Sequence, residues 1–158
     1  MIRLLTACLL VFALTACDPF ALNKLQPGVS TGYEVRDALG TPDNEWKNVD
    51  GSVTWEFSRR PNARENIMIV IGSDNIMRSM TQVLTEENFA RVNTGMSQDE
   101  VRRLLGKPLS VVKLDLKKQM VWDYPVATPF PDKDMRFNVH FDQTGKVAET
   151  SRHEVHKN

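Results

Sequence analysis

The sequence predicts an α+β protein made of two tandem units, each with two short helices followed by a four-stranded antiparallel meander. Three observations support this fold class. A short helix with start and stop signals occurs in residues 93–108 and again in residues 26–42. Four strand-like runs follow each copy, and turn residues separate these runs at equivalent places.

The helix within residues 93–108 has signals at both ends. Ser97 and Glu100 have the spacing of a capping box, in which each side chain accepts from the backbone N–H of the other residue. Gly106 suits the left-handed position after a helix, where a Cβ would clash, and Pro108 prevents the helix from resuming. Four residues supply the apolar stripe of this helix: Met96, Val101, Leu104 and Leu105.

The same pattern occurs in residues 26–42, with one extra residue near Gly32. Ser30 takes the place of Ser97 and is interpreted as the N-cap. The chain is therefore interpreted as a duplication, with a first unit at 17–84 and a second unit at 85–158. The other matched positions are Gly28 with Gly95, Val35-Arg36 with Val101-Arg102, Leu39-Gly40 with Leu105-Gly106, and Pro42 with Pro108.

A further helix is predicted before each of these copies. Residues 18–25 align with residues 85–92, and Asp18 and Thr85 are placed as the N-caps. Pro19 would then occupy the first helical position, where its missing N–H costs no hydrogen bond.

Turn residues separate the strand-like runs. Asp50-Gly51 predicts a two-residue hairpin, and Lys117-Lys118 lies at the equivalent place. The runs Val53–Phe57 and Met120–Tyr124 match each other. Two further pairs are predicted to turn the last hairpin of each unit: Asp74-Asn75 and Thr144-Gly145.

The third run of each unit shows which side chains face the core. In the second unit, apolar residues alternate with polar ones, which is typical of a strand with one buried face. The first unit has isoleucines at the equivalent positions. The predicted core residues of these two strands are Phe137, Val139 and Phe141, and Ile67, Ile69 and Ile71.

Met68 and Val70 occupy the other face of the first unit's strand. They either pack within the chain or form an apolar patch that binds a partner. Glu56 and Asp123 lie beside the tryptophans of the two units but on the opposite strand face. Both are predicted to lie on the solvent side.

The first 16 residues predict a removable export signal. Their apolar run is shorter than the roughly 20 residues that a membrane-spanning helix needs. It ends in Leu14-Thr15-Ala16-Cys17, which resembles a bacterial lipobox, so Cys17 is the predicted lipidation site. Cys8 ends a similar pattern, but too few residues precede it to form an apolar core. The alternative is an ordinary signal peptide that is cut nearby.

The mature chain is nearly neutral. The sequence has 20 Lys and Arg against 20 Asp and Glu. Removal of the signal takes away one arginine, which leaves a net charge of about −1. There is thus no excess of basic residues to suggest nucleic-acid binding. Because Cys17 would be the only cysteine left, no internal disulfide is expected.

The sequence contains no pattern typical of catalysis. His140, His153 and His156 are the only histidines, and no cysteine or acid pair completes a metal site with them. Ser30 and Ser97 are interpreted as helix caps rather than nucleophiles, and no glycine-rich phosphate loop is present. We therefore expect neither enzymatic activity nor a metal or other cofactor.

Two loops at equivalent places are candidates for binding a partner, because loops carry binding residues more often than the scaffold does. One loop is basic and the other is rich in proline. Near a lipid anchor, arginines could meet anionic lipid headgroups, at about 1 kcal/mol each; the alternative is a solvated hairpin tip. The candidate residues are Arg59, Arg60 and Arg64 in residues 58–64, and Phe130 in residues 125–131.

The segment from Gly95 to Pro108, followed by Trp122-Asp123-Tyr124, resembles the SmpA/OmlA family of BamE-like lipoproteins. The resemblance covers nearly all of the mature chain. Two such units in tandem are similar in architecture to the β-lactamase-inhibitor-protein fold, which implies that the helices of each unit pack on one face of its sheet. The chain departs from the family in its duplication, because a BamE-like protein usually carries one unit.

The resemblance implies a non-enzymatic binding module, anchored by lipid on the periplasmic side of the outer membrane and accessory to outer-membrane protein assembly or envelope integrity. The implied partners are the membrane and components of the barrel-assembly machinery. The alternative is an inhibitor-like or adaptor module that binds a periplasmic enzyme or envelope component. Asp18 leaves the inner membrane open as a location, because an aspartate directly after the lipidated cysteine resembles the retention signal of enteric bacteria.

Overall fold

The computed structural model describes residues 21–58, 64–116, 118–130 and 133–155, in which the same order of elements occurs twice. The first half of the chain contains α1 (Ala21–Lys24), α2 (Gly32–Leu39), β1 (Asn44–Lys47), β2 (Val53–Ser58), β3 (Asn66–Ile71) and β4 (Met77–Gln82). The second half contains α3 (Glu86–Ala90), α4 (Gln98–Leu105), β5 (Ser110–Leu114), β6 (Gln119–Pro125), β7 (Met135–Phe141) and β8 (Val147–Glu154).

The strands form two separate four-stranded antiparallel sheets. Strands β1 to β4 make sheet 1 and strands β5 to β8 make sheet 2, each with its strands in sequence order. Each sheet is therefore a meander, since every strand pairs with its neighbour in the sequence. The α+β class predicted from the sequence is confirmed.

The longer helix of each half begins with a capping box. In α4 the box consists of Ser97 and Glu100, as predicted. In α2 it consists of Thr31 and Glu34, so the assignment of Ser30 as the N-cap is wrong. The hydroxyl of Ser30 instead accepts from the backbone N–H of Gln26 at 3.0 Å. The extra residue of the first half thus lies before the cap and shifts the alignment by one position.

Of the two shorter helices, only α3 has its predicted N-cap within the described residues. Thr85 is the N-cap of α3, as predicted, and its side chain accepts from the backbone N–H of Asn88. Asp18 and Pro19, the predicted start of the first helix, lie outside the described residues.

Both long helices end at a glycine with positive φ. Gly106 has φ 76° and ψ −166°, and Gly40 has φ 78° and ψ −156°. The predicted need for a glycine is met, but ψ differs from that of the left-handed helical region. This combination of angles is essentially restricted to glycine. The chain therefore leaves each helix in an extended direction.

The turn between β1 and β2 is longer than predicted. The backbone N–H of Asn48 donates to the carbonyl of Ser52 at 2.9 Å, which encloses a three-residue loop rather than a two-residue hairpin. Gly51 supplies the positive φ, 81°, that a three-residue loop of this kind requires. The matching residue Lys117 lies outside the described residues. The last hairpins turn where predicted, with positive φ at Asn75 and Gly145.

Each half has its own apolar core, formed by helix residues and alternate residues of the strands. The predicted core isoleucines and the predicted core residues of β7 are all buried. The first core contains Leu25, Val35, Trp55, Phe57, Ile67, Ile69, Ile71 and Met77. The second contains Leu84, Phe89, Val92, Val101, Leu105, Trp122, Tyr124, Val126, Phe137, Val139, Phe141 and Val147.

Candidate partner-binding surfaces

The face of sheet 1 opposite its core is covered by the second half of the chain. Side chains alternate along a strand, so Glu56 and Met68 point away from the core residues Trp55 and Ile69. We call this the outer face of sheet 1. Glu56 is fully buried there, at 0% exposure. Its predicted place on the solvent side is therefore wrong, because α4 packs against this face.

The Glu56 carboxylate is held by three donors. One oxygen accepts from Nε of Arg102 at 2.9 Å. The other accepts from the backbone N–H of Lys107 at 2.6 Å and from the hydroxyl of Ser58 at 2.7 Å. A buried carboxylate is costly unless it is paired and hydrogen-bonded. The set of donors, two of which come from the second half, meets that requirement.

The end of α4 is completed by side chains from both halves. Nδ2 of Asn66 donates to the carbonyls of Leu105 at 2.7 Å and Lys107 at 3.0 Å. The hydroxyl of Tyr124 donates to the carbonyl of Gly106 at 3.0 Å. The last carbonyls of a helix lack partners within the helix. The first half therefore serves as the C-terminal cap of a helix in the second half.

An apolar cluster of Trp46, Met68 and Val83 lies beside these polar contacts. The guanidinium of Arg103 is 5.2 Å from the Trp46 ring centroid. Met68 is 7% exposed, so its side chain packs within the chain, one of the two alternatives that the sequence left open. Val70 is half-buried. Binding of a partner by Met68 and Val70 stays a prediction.

A groove of about 440 Å³ runs along this junction. Its wall includes Met68 and Val83 from the first half and Leu104 from α4. Arg91 and Arg103 stand at its side. Arg103 also donates to Asp99 at 2.7 Å, and this bond holds the pKa of Asp99 below its ordinary value.

Arg64 of the first predicted loop contacts the segment that follows the second predicted loop. A guanidinium nitrogen of Arg64 lies 3.5 Å from the Asp134 carboxylate, which also accepts two hydrogen bonds from Arg136 at 2.6 and 2.8 Å. Phe130 is 57% exposed, and Nζ of Lys133 lies 5.8 Å from its ring centroid. We call Arg64, Phe130 and Lys133 the loop surface. The predicted residues Arg59 and Arg60 lie outside the described residues.

A row of polar side chains crosses the face of sheet 2 opposite its core, which we call the outer face of sheet 2. The Asp123 carboxylate accepts from the hydroxyl of Ser110 at 2.6 Å and from the side-chain amide of Asn138. Nδ1 of His153 lies 2.9 Å from the Asn138 side-chain oxygen. Asp123 is half-buried rather than solvent-exposed. The row links all four strands of the sheet.

Hydrogen bonds and burial shift the pKa values of several groups. The backbone N–H and hydroxyl of Ser97 lower the pKa of Glu100, and those of Thr31 lower the pKa of Glu34. Burial, and secondarily the charge of Glu56, raises the pKa of Tyr124 well above 10.0. Tyr124 therefore stays protonated and donates to Gly106.

The described part of the chain carries neither a grouping of metal ligands nor a helix suited to span a membrane. Between residues 21 and 155, leaving out 59–63, 117 and 131–132, no three His, Cys, Asp or Glu side chains are grouped so that they could hold a metal ion. In that same part of the chain, no helix combines the length and apolarity needed to cross a membrane. The predicted lipidation site Cys17 and the third histidine, His156, lie outside these ranges.

The residues that join the halves carry no signal in the sequence that marks them. Glu56 matches Asp123 of the second half, and Arg102 matches Arg36 of the first. Because both halves have an acid and an arginine at these equivalent positions, the sequence does not show which acid and which arginine form an ion pair. Asn66 was likewise not recognised. Its place opposite a helix end depends on how the halves pack, and no local pattern encodes that packing.

Comparison with known proteins gives both a sequence family and structural neighbours. A sequence model of the outer membrane protein assembly factor BamE domain matches residues 81–151. The chain is similar to a solved structure described as osmotically inducible lipoprotein OsmE, with 30% identity over 44% of this chain and 72% of OsmE, at a TM-score of 0.37. No curated protein sequence gives a significant match.

Two further solved structures are similar over most of the chain. A protein described as a β-lactamase inhibitor protein from Streptococcus mutans has 14% identity over 85% of this chain and 95% of its own, at a TM-score of 0.35. A DUF4309 family protein from Bacillus subtilis has 11% identity over 84% of this chain and 83% of its own, at a TM-score of 0.34.

Proposed function

The chain belongs to the BamE-like family of lipoproteins, and from that premise we propose that it is a lipid-anchored, non-catalytic accessory protein in the assembly of outer-membrane proteins. The observation that carries the proposal is the match of residues 81–151 to the assembly-factor domain. That segment includes α3, α4 and nearly all of sheet 2. It also includes Arg102 and Lys107, through which the second half contacts Glu56.

The proposed anchor is a lipidated Cys17. Helix α1 begins at Ala21, so few residues separate the anchor from folded structure. A short connection of this kind gives the first half little freedom to leave the membrane surface. We place the protein on the periplasmic side of the outer membrane. The inner membrane is the alternative that Asp18 raises.

The proposed binding surface is the loop surface. It combines an exposed aromatic ring, Phe130, with the cations of Lys133 and Arg64. Arg59 and Arg60 belong to the same basic loop as Arg64, residues 58–64. An exposed ring beside cations suits a partner protein or an anionic lipid headgroup, because cations attract phosphate while the ring supplies apolar area.

The proposed organisation is a tandem duplication after removal of residues 1–16, with a first unit at 17–84 and a second at 85–158. The repeated element order and the two capping boxes support it. In each unit, the helices would cover one face of the sheet. The first unit then has a second task, since its outer face holds α4 through Glu56 and Asn66.

Crosslinking in intact cells tests the function. The full-length lipidated chain is crosslinked with a short amine-reactive reagent, solubilised in detergent and purified through a C-terminal tag. We expect components of the barrel-assembly machinery in the purified complex, and Phe130→Ser with Lys133→Ser should reduce their recovery. A matched control replaces the fully exposed Val49 with serine. Recovery of a soluble periplasmic enzyme in place of the machinery would support the inhibitor-like or adaptor function instead.

A further inference from the structure

The outer faces of the two sheets are equivalent positions of the repeat. Glu56 of β2 is paired with Asn44 and Met68 on the neighbouring strands. Asp123 of β6 is paired in the same way with Ser110 and Asn138. In each sheet, an acidic residue thus occupies the same place next to the core tryptophan, on the face that points away from the core.

On sheet 1 this place holds the end of a helix. Arg102, from the last turn of α4, donates to the Glu56 carboxylate, and the backbone N–H of Lys107 just after the helix donates to it as well. The glycine between them, Gly106, lets the chain leave the helix directly over the acid. Sheet 1 therefore shows that its outer face can bind the C-terminal end of a helix.

On sheet 2 the equivalent acid receives no such helix from the described part of the chain. The side-chain donors to Asp123 are Ser110 and Asn138, both from its own sheet. The centre of the face is buried, with Val121 at 6% and Asn138 at 5% exposure. At its margin, Val112 is 44% exposed, and the side chain of Glu149 is 59% exposed. The apolar margin suits the apolar side of a helix, and Asp123 and Glu149 offer carboxylates to an arginine. Arg136 on the same face is already paired with Asp134.

We propose that the outer face of sheet 2 binds the C-terminal turn of an α-helix from a partner protein. That helix carries an arginine in its last turn, which pairs with Asp123, and it presents a free backbone N–H beyond its end. Val112 and Val121 contact its apolar side. The contacts repeat, between two molecules, those that α4 makes with Glu56 and Met68 inside this chain.

A second copy of the chain does not fit this description. Its corresponding helix is α2, whose arginine is Arg36. That guanidinium already donates to Glu45 at 2.7 Å and lies 4.2 Å from the Trp55 ring centroid. Docking α2 on Asp123 would break both contacts. A partner helix with an unpaired arginine loses nothing of this kind, so charge complementarity favours a different protein.

The inference rests on the proposed function only in that the chain acts as a binding module. Its test is site-specific photocrosslinking with p-benzoyl-phenylalanine in place of Glu149, in the full-length lipidated protein in its own cells. The same probe in place of Val49 is the control for position. We expect one main adduct at position 149, and sequencing of the adduct should place the crosslink on a helix with an arginine in its last turn.

Two variants then test the contact itself. Asp123→Lys and Val112→Lys should each lower the yield of that adduct by about tenfold or more, because charge repulsion and desolvation oppose docking. Asp115→Lys, on the exposed turn between β5 and β6, should leave the yield within about twofold. Val112 lies at the exposed margin of this face, so Val112→Lys should leave the fold intact. It therefore tests docking even if Asp123→Lys unfolds the protein.

Four results would overturn the inference: no adduct above that of position 49, an adduct with a second copy, a crosslinked segment without a helix and its arginine, or a yield that Val112→Lys leaves unchanged. An adduct with the expected helix from a protein outside the assembly machinery would support the inference while contradicting the proposed function.

Discussion

Glu56 and Arg102 form an ion pair at 2.9 Å although 46 positions separate them in the sequence. The carboxylate is fully buried, and the arginine side chain is 31% exposed. The pair connects sheet 1 to the helix of the other half. The two halves are therefore expected to unfold together rather than as independent domains.

Replacement of Glu56 by alanine should destabilise the protein by about 3 kcal/mol, because it removes the carboxylate that pairs with Arg102 and accepts the shorter of two hydrogen bonds from the Lys107 backbone N–H. Urea denaturation of the lipid-free protein measures this. Glu87→Ala, at an exposed position of α3, should change the free energy of unfolding by less than about 0.5 kcal/mol. Equal effects of the two substitutions would contradict the role of the ion pair.

The two helix-ending glycines form a matched pair for substitution. Their φ and ψ angles are nearly the same, but a Cβ on Gly106 would lie 2.8 Å from Nδ2 of Asn66, whereas a Cβ on Gly40 would have no neighbour within 4 Å. Gly106→Ala should therefore cost about 1–3 kcal/mol more than Gly40→Ala, since it also displaces the amide that caps α4.

Thermal melting of both glycine variants gives the comparison. Gly106→Val should melt lower still than Gly106→Ala, because a β-branched residue tolerates positive φ least. In an Asn66→Ala background, the difference between Gly106→Ala and Gly40→Ala should shrink. If the two alanine variants melt at the same temperature in the wild-type background, the contact with Asn66 contributes nothing.

The capping box of α4 should make part of the stability depend on acid pH. Its hydrogen bonds lower the pKa of Glu100 in the folded protein below the ordinary value of 4.5. A group whose pKa is lower in the folded than in the unfolded protein stabilises the fold fully at pH values above its unfolded-state pKa. This stabilisation is lost as the pH falls through the folded-state pKa. The difference in melting temperature between wild type and Glu100→Gln should therefore be present at neutral pH and decrease below about pH 4.5. A difference that stays constant into strong acid would exclude this linkage.

Tyr124 should make stability depend on alkaline pH. Its pKa is raised in the folded protein, so the unfolded chain releases the proton first, and stability falls as pH rises above about 10. Tyr124→Phe should cost about 1 kcal/mol at neutral pH through the lost bond to Gly106. Its alkaline decline should also be shallower than that of the wild type. If the free energies of unfolding of the two proteins, measured by urea denaturation, fell equally with rising pH, the raised pKa of Tyr124 would be contradicted.

Cys17→Ala tests the anchor. Acyl chains bind a bilayer with about 0.8 kcal/mol for each buried methylene, so their loss should release the protein from membranes or leave an uncleaved precursor. Membrane fractions washed with high salt and probed by immunoblot give the result. Mature Cys17→Ala protein that stays in the washed membranes would show that something other than lipid holds it. Asp18→Ser, fractionated on a density gradient, separates the outer membrane from the inner.

The sequence predicted the features that short stretches of chain determine. The box of Ser97 and Glu100 depends on residues three apart, and the alternation in β7 depends on neighbours along one strand. The error at Ser30 was also local, since Thr31 next to it is the cap and has Glu34 three residues on to complete the capping box. These elements follow from hydrogen bonds and side-chain periodicity within a few residues.

The contacts between the halves could not be predicted in this way. Nothing near Glu56 distinguishes it from Asp123, yet one acid is fully buried under α4 and the other is half-buried on its own sheet. The difference arises because the second half packs on the outer face of sheet 1, whereas no helix of the described residues packs in that way on sheet 2. The place of Met68 was left open for the same reason. Only the packing of the two halves determines it.

The order of synthesis matters for the covered face of sheet 1. In the proposed export to the periplasm, the chain would cross from its N-terminus, so β1 to β4 would arrive before α4. Until Lys107 has crossed, Trp46 and Met68 face water and the Glu56 carboxylate has neither its arginine nor its backbone donor. A translocating chain that stops between β4 and α4 therefore displays an apolar sheet, the kind of surface that periplasmic chaperones hold and proteases remove.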